Sequence, residues 1–356
     1  MSFLLTTVVS ILVFGFVIMF HEAGHFFTAK KCGIQVNEFS IGMGPVLFKK
    51  YKGGTQYSVR ALPIGGYVSM EGEDGENTED APDVPDEVRA QRTGKPFHQV
   101  SVLRRILVVA AGAVMNLILG FLVMLILTSG QDMITSRTIY EFAEGARCQQ
   151  TGLQEKDTIL RVNGRRCFVP ADIIYELQRS PDYTADFTVQ RNGQKVEVPS
   201  VQFDTVTQAD GRTTMQVGFV VYGIEKTPLS VIKEAGSWVL YYMRLVFRSQ
   251  ADLVTGRVSV NELSGPVGIV SVLNQAVGMG LDQILSILAL LTVNLGVFNL
   301  LPIPALDGGK LVLLAVEGVT RKKVPEKVEM FINAAGMVFL LGLMLFATFN
   351  DILRLI

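Results

Sequence analysis

The chain has 356 residues, of which 49% are hydrophobic and only 18% charged, with a mean hydropathy of +0.36. That is too apolar for an ordinary soluble enzyme, yet a long polar stretch interrupts it, as in a membrane protein with a water-exposed insert. A formal net charge of -1, no phosphate-cradling glycine loop and no basic patch interleaved with aromatics together exclude nucleic acid as a partner.

Four stretches meet the roughly 20-residue apolar criterion for a spanning helix. They are about residues 3–29, 106–128, 283–306 and 331–349. Basic clusters at Lys30-Lys31, Arg104-Arg105 and residues 321–323 flank the first three and are expected in the cytoplasm, which puts both termini outside. A cleavable signal peptide fits the N-terminus poorly, because no basic residue precedes the apolar run and no small-residue cleavage site precedes His21.

Inside the first span lies His21-Glu22-Ala23-Gly24-His25. Four apart on a helix, the two imidazoles share one face and can meet one Zn²⁺, with Glu22 beside the metal as general base on a water. The bland alternative is a pair of helix histidines satisfied by hydrogen bonds, but ionisable groups near a bilayer are expensive unless function requires them. Residues 39–70 then alternate apolar and polar in short runs broken by glycines, the pattern of β-hairpins. Residues 71–92 are acidic and Pro-containing and are expected to form a mobile cytoplasmic loop.

The outside insert runs from about residue 131 to about residue 280. Its GLQEKDTILRVNG, followed by a helix-like stretch at 170–179, resembles a PDZ domain of bacterial proteases over about residues 141–201. Such a fold binds extended chains by adding a strand to its sheet edge, although a plain spacer would serve as well. Residues 202–224 leave room for extra strands but not for a recognisable second copy. Residues 228–247 mix Trp238, Tyr241, Tyr242 and Phe247 with Lys233, Glu234 and Arg244, which suits a helix at the membrane surface. Residues 263–281, uncharged but broken by Gly265-Pro266, are expected to be partly buried or re-entrant. Cys32, Cys148 and Cys167 form neither a metal cluster nor an even disulfide framework, and a Cys148–Cys167 bridge stays open.

A catalytic zinc needs three protein ligands. His98, the one remaining histidine, lies in a polar loop and is better explained as exposed. Asp307 is the stronger partner: in NLLPIPALDGG it sits at the end of an apolar run, after two helix-breaking prolines and before two glycines. A helix N-cap is its alternative role, compatible with the first.

HEAGH together with NLLPIPALDGG resembles the site-2 protease family of intramembrane zinc metalloproteases. GMGP at 42–45, LPIGGYVSM at 62–70, AAGAVMN at 110–116 and SGPVGI at 264–269 extend the resemblance over the whole chain. It implies that His21, His25 and Asp307 bind zinc, that Glu22 activates water, and that transmembrane segments of single-pass proteins are cut within the bacterial plasma membrane. Anti-sigma factors and remnant signal peptides are the substrates it suggests. Asn299 is placed to donate its amide to substrate or oxyanion, a catalytic part, while Asn294 and Asn116 either do the same or tie helices together.

The expected fold is an α-helical membrane protein of about four transmembrane helices, with a membrane-associated β-hairpin region and an extracytoplasmic PDZ-like α+β domain. Its parts are 1–130 (two spans, HExxH, hairpins), 131–226 (PDZ-like), 227–282 (surface and re-entrant) and 283–356 (two spans, LDG). A membrane-anchored PDZ scaffold with a vestigial metal site is the competing function.

Overall fold

The computed structural model describes residues 3–73, 84–207, 213–260 and 263–355, and its chain forms two compact units, Met1–Val123 with Met243–Ile356, and Met124–Tyr242. In the first unit, α1 (Phe3–Lys31) is apolar up to the HEAGH turn and ends on Lys30 and Lys31, cations that complement the helix C-terminus. It is followed by β1 (Val36–Lys52) and β2 (Thr55–Met70). These form one long, folded hairpin where several short ones are expected from the sequence. Ser40 is paired with both Tyr67 and Ser58, so residues 36–41 lie between 66–70 and 56–59 and leave 66–70 at an edge. Met43, Leu47, Phe48 and Leu62 are exposed, a surface suited to lipid.

A polar knot stiffens the hairpin from within. Glu38 accepts hydrogen bonds from Ser58 at 2.5 Å, Arg60 at 2.8 Å and Tyr67 at 2.7 Å. Burial works against the carboxylate, but the three donors outweigh it and hold Glu38 below its ordinary range. Burial and the adjoining Glu38 push the Tyr67 phenol up.

The expected acidic loop falls partly on residues 74–83, outside the described residues. Its end forms α2 (Asp86–Ala90), and a 3₁₀ turn at Phe97–Gln99 leads into α3 (Val102–Gly130), the second apolar span.

The second unit contains β3 (Ile134–Phe142), α4 (Arg147–Gln150), β4 (Thr158–Val162), β5 (Arg165–Arg166), α5 (Pro170–Gln178), β6 (Thr184–Arg191), β7 (Gln194–Gln202), β8 (Asp204–Thr207), β9 (Thr213–Gln216) and β10 (Phe219–Ile224). The main sheet has the order β10-β3-β4-β6-β7 with β5 on β4, and β8 and β9 pair separately. Asn192-Gly193, both left-handed, make the tight β6–β7 turn. Ile139, Leu153, Ile159, Leu177 and Phe187 fill the core. Fully buried Asp157 is neutralised by Arg191 at 2.7 Å. Cys148 and Cys167 are buried free thiols, so no bridge joins them, and burial pushes the Cys148 thiol up to about 11.

α6 (Pro228–Val254) spans the boundary between the units, with Trp238, Tyr241 and Tyr242 clustered on it at 5.5–5.7 Å. α7 (Pro266–Met279) has 14 residues, about 21 Å at 1.5 Å per residue and too short to cross a bilayer. It is fastened at two points: Thr6 donates to Asn274 at 2.6 Å, and the buried Asp351 accepts from the Gly268 amide at 2.7 Å. α8 (Leu281–Leu300) is the third span, α9 (Asp307–Thr320) follows it, and α10 (Glu326–Leu355) is the fourth, with Phe331, Val338, Phe339 and Leu345 exposed.

The third span differs from its expected extent. It stops at Leu300, not near residue 306, because Pro302 and Pro304 cannot continue an α-helix and residues 301–306 form an irregular turn. A new helix, unexpected from hydropathy, then begins at Asp307. Among the described residues, four helices are long and apolar enough to cross a membrane: α1, α3, α8 and α10.

Candidate metal centre

His21 and His25 lie one turn apart on α1, both buried, with their Nε2 atoms 3.2 Å apart. Their burial depends on how closely α3 approaches. A Cβ on Gly112 would fall 2.2 Å from His25 Nε2 and 2.8 Å from His21 Cε1, and one on Gly24 would fall 2.4 Å from the Ala111 carbonyl oxygen. The small residues of AAGAVMN and HEAGH thus let two helix backbones nearly touch, as small residues do between membrane helices.

α3 also orients the rings. His25 Nδ1 donates to the Val108 carbonyl at 2.9 Å, which leaves the Nε2 lone pair free. Asn116, fully buried, has its amide nitrogen 3.3 Å from His21 Nδ1 while its Oδ1 has no partner. Exchanging the isosteric O and N of that amide lets Oδ1 accept from Nδ1–H and frees His21 Nε2 in the same way.

The third group comes from the turn after α8. Pro302 and Pro304 end the span, and Ala305 takes a left-handed conformation, which costs about 1–2 kcal/mol for a residue with a side chain. The chain then folds back so tightly that a Cβ on Gly308 would meet the Leu301 oxygen at 1.9 Å and one on Gly309 the Ile303 oxygen at 2.6 Å. This places Asp307 Oδ2 3.3 Å from His21 Nε2 and 3.4 Å from His25 Nε2. Asp307 is the first residue of α9, not its cap; Leu306 holds that position without a side-chain hydrogen bond.

Three donor atoms 3.2–3.4 Å apart form a triangle, and Asp307 Oδ2 has no hydrogen-bond partner among the described residues. Ligands about 2.0–2.1 Å from a tetrahedral zinc are about 3.3–3.4 Å from one another. Two imidazoles and a carboxylate at this spacing fit Zn²⁺ and leave a fourth position open. His21, His25 and Asp307 are the one such group among the described residues.

Two further expected residues adjoin the centre. The Asn299 amide nitrogen is 3.3 Å from His21 Nε2 and buried. Glu22 faces β2, its Cγ 3.5 Å from where a Gly66 side chain would start. His98 lies elsewhere, its Nδ1 3.3 Å from the Gly72 carbonyl. Asn294 leaves its Oδ1 buried without a partner. The roles of Gly112 and Gly24 were not foreseen from sequence, although a pair of small residues within each span was the available signal.

A family profile described as Peptidase family M50 matches residues 9–343. The Regulator of sigma-W protease RasP of Bacillus subtilis is 30% identical, with 99% of both chains covered. Zinc metalloproteases RasP of Shouchella clausii and Bacillus licheniformis are 31% and 30% identical, with 98% of this chain and 99% of each relative covered. With its four apolar helices, the chain is a multi-pass protein of the bacterial inner membrane and a zinc metalloprotease, and it belongs to peptidase family M50, the site-2 proteases.

Proposed function

We infer that His21, His25 and Asp307 hold the zinc of this membrane protease and that Glu22 is its general base. The observation that carries this reading is the convergence of two imidazole nitrogens and a carboxylate oxygen within 3.4 Å of one another. When bound, zinc supplies a Lewis acid that polarises the scissile carbonyl and acidifies water. Glu22 takes the proton from the attacking water and returns it to the leaving amine, while the Asn299 amide donates to the carbonyl oxygen as charge develops there.

The substrate must first be unwound, since a transmembrane helix keeps its carbonyls in internal hydrogen bonds. Among the described residues, 66–70 of β2 pair on one side only and lie beside Glu22, so strand addition there would hold the substrate extended near the centre. A relative that is itself a protease named as a regulator of sigma-W makes membrane-anchored anti-sigma factors the first substrates to test, with remnant signal peptides second. The sheet and helices of residues 134–224 suit a PDZ-like domain on the extracytoplasmic side that admits shortened substrates. The scaffold alternative leaves the set of ionisable groups in apolar helices without a purpose.

Replacing His21, His25 or Asp307 by Ala is expected to lower zinc content and proteolysis together, measured on purified protein. Full zinc and full activity in Asp307→Ala would move the third ligand elsewhere.

A further inference from the structure

α9 carries Asp307 in its first turn, where the N-cap Leu306 offers no side-chain hydrogen bond and Ala305 is in a left-handed conformation. The restraint comes from the side. One turn along, Lys310 Nζ lies 2.6 Å from Glu73 Oε1. Two turns further, Glu317 accepts both terminal nitrogens of Arg105, at 2.7 and 2.9 Å. Phe97 is shared between the two cations, its ring centroid 4.9 Å from Lys310 Nζ and 6.0 Å from Arg105 Cζ.

Solvated lysine at a membrane edge would be the ordinary account of Lys310, yet its side chain is 19% exposed and that of Glu73 17%. At that burial a pair is not the weak, screened contact of an open surface. The Glu73 side is anchored as well. Glu71 donates its amide to the Gln35 carbonyl at 3.0 Å, the Phe97 amide donates to the Glu71 carbonyl at 2.6 Å, and Glu73 lies three residues past the end of β2. Lys310 therefore ties the helix that starts at Asp307 to the strand whose Gly66 adjoins Glu22.

We propose that Lys310, paired with Glu73 and stacked on Phe97, is a positioning residue that holds the first turn of α9 so that the Asp307 carboxylate stays against the two imidazoles. This rests on Asp307 being the third zinc ligand. Arg105–Glu317 fixes the rest of the helix, and the Lys310–Glu73 pair sets its start. Residues that orient a ligand typically change metal affinity by about 10- to 100-fold when replaced.

The test uses full-length protein in detergent, with metal retention read against a graded chelator, the visible spectrum of the Co²⁺-substituted protein, and the unfolding temperature of the metal-free protein. Lys310→Met and Glu73→Gln are each expected to weaken metal retention by about 10- to 100-fold and to alter the cobalt spectrum. The double variant should be no worse than either single one, and Lys310→Arg should restore most of the loss. Metal-free unfolding should barely move. Wild-type retention and spectrum in both single variants would overturn the proposal, as would a drop in metal-free unfolding temperature with unchanged affinity. Asp307→Ala separates the two ideas: if it too keeps metal, the ligand assignment has failed, and if it alone loses metal, only the role of Lys310 has.

Discussion

With its amide oxygen turned to His21 Nδ1, Asn116 would fix which nitrogen His21 presents to a metal. Asn116→Leu keeps the volume close but removes the acceptor for Nδ1–H, so the imidazole is free to turn or change tautomer. The expected result is zinc bound about 10- to 100-fold more weakly, read by chelator competition, with His25 still held by Val108. Unchanged affinity would make Asn116 only a tie between helices, a role it also has through the hydrogen bond its carbonyl accepts from Thr292 at 3.1 Å. HEAGH was legible because helical periodicity alone brings positions four apart together. Asp307 was legible because a carboxylate beside prolines at the end of an apolar run has few other reasons to be there. The Asn116 contact and the closeness of Gly112 were not, since they depend on the register between α1 and α3, which neither helix's sequence contains.

At the level of elements, the hairpin and α9 carry the account. Gly66 has Ser40 oxygen 2.8 Å and Glu22 Cγ 3.5 Å from the place of a Cβ, so Gly66→Val must shift the edge strand, Glu22 or both. Displacement of about 1 Å can cost on the order of 10²-fold in rate. A loss of that size in kcat/KM with zinc content intact is expected from peptide cleavage assays, and normal cleavage would remove this edge from substrate handling. Glycines and alternation announced strands here, but not that residues 36–41 would be paired on both sides, because strand order is set by long-range contacts. Hydropathy likewise ran the third span through to residue 306, since Leu300, Leu301, Ile303 and Leu306 are as apolar in a turn as in a helix. The prolines were the better guide.

For the whole molecule, residues 134–224 form a sheet-based unit with its own core, while His21, His25 and Asp307, the candidate metal ligands, all belong to the other unit. Replacing residues 134–224 by a flexible linker is therefore expected to leave zinc binding and hydrolysis of a transmembrane peptide in detergent intact, but to relax the preference for shortened over full-length substrates in membranes. An unchanged preference would reduce this unit to a spacer. The most direct test of the account is to measure zinc content and cleavage of a transmembrane peptide for the wild-type protein and Glu22→Gln side by side. Loss of a general base costs about 10²- to 10⁴-fold, so the variant should keep its zinc and lose activity by that factor. Near-normal cleavage by Glu22→Gln with zinc in place would contradict it.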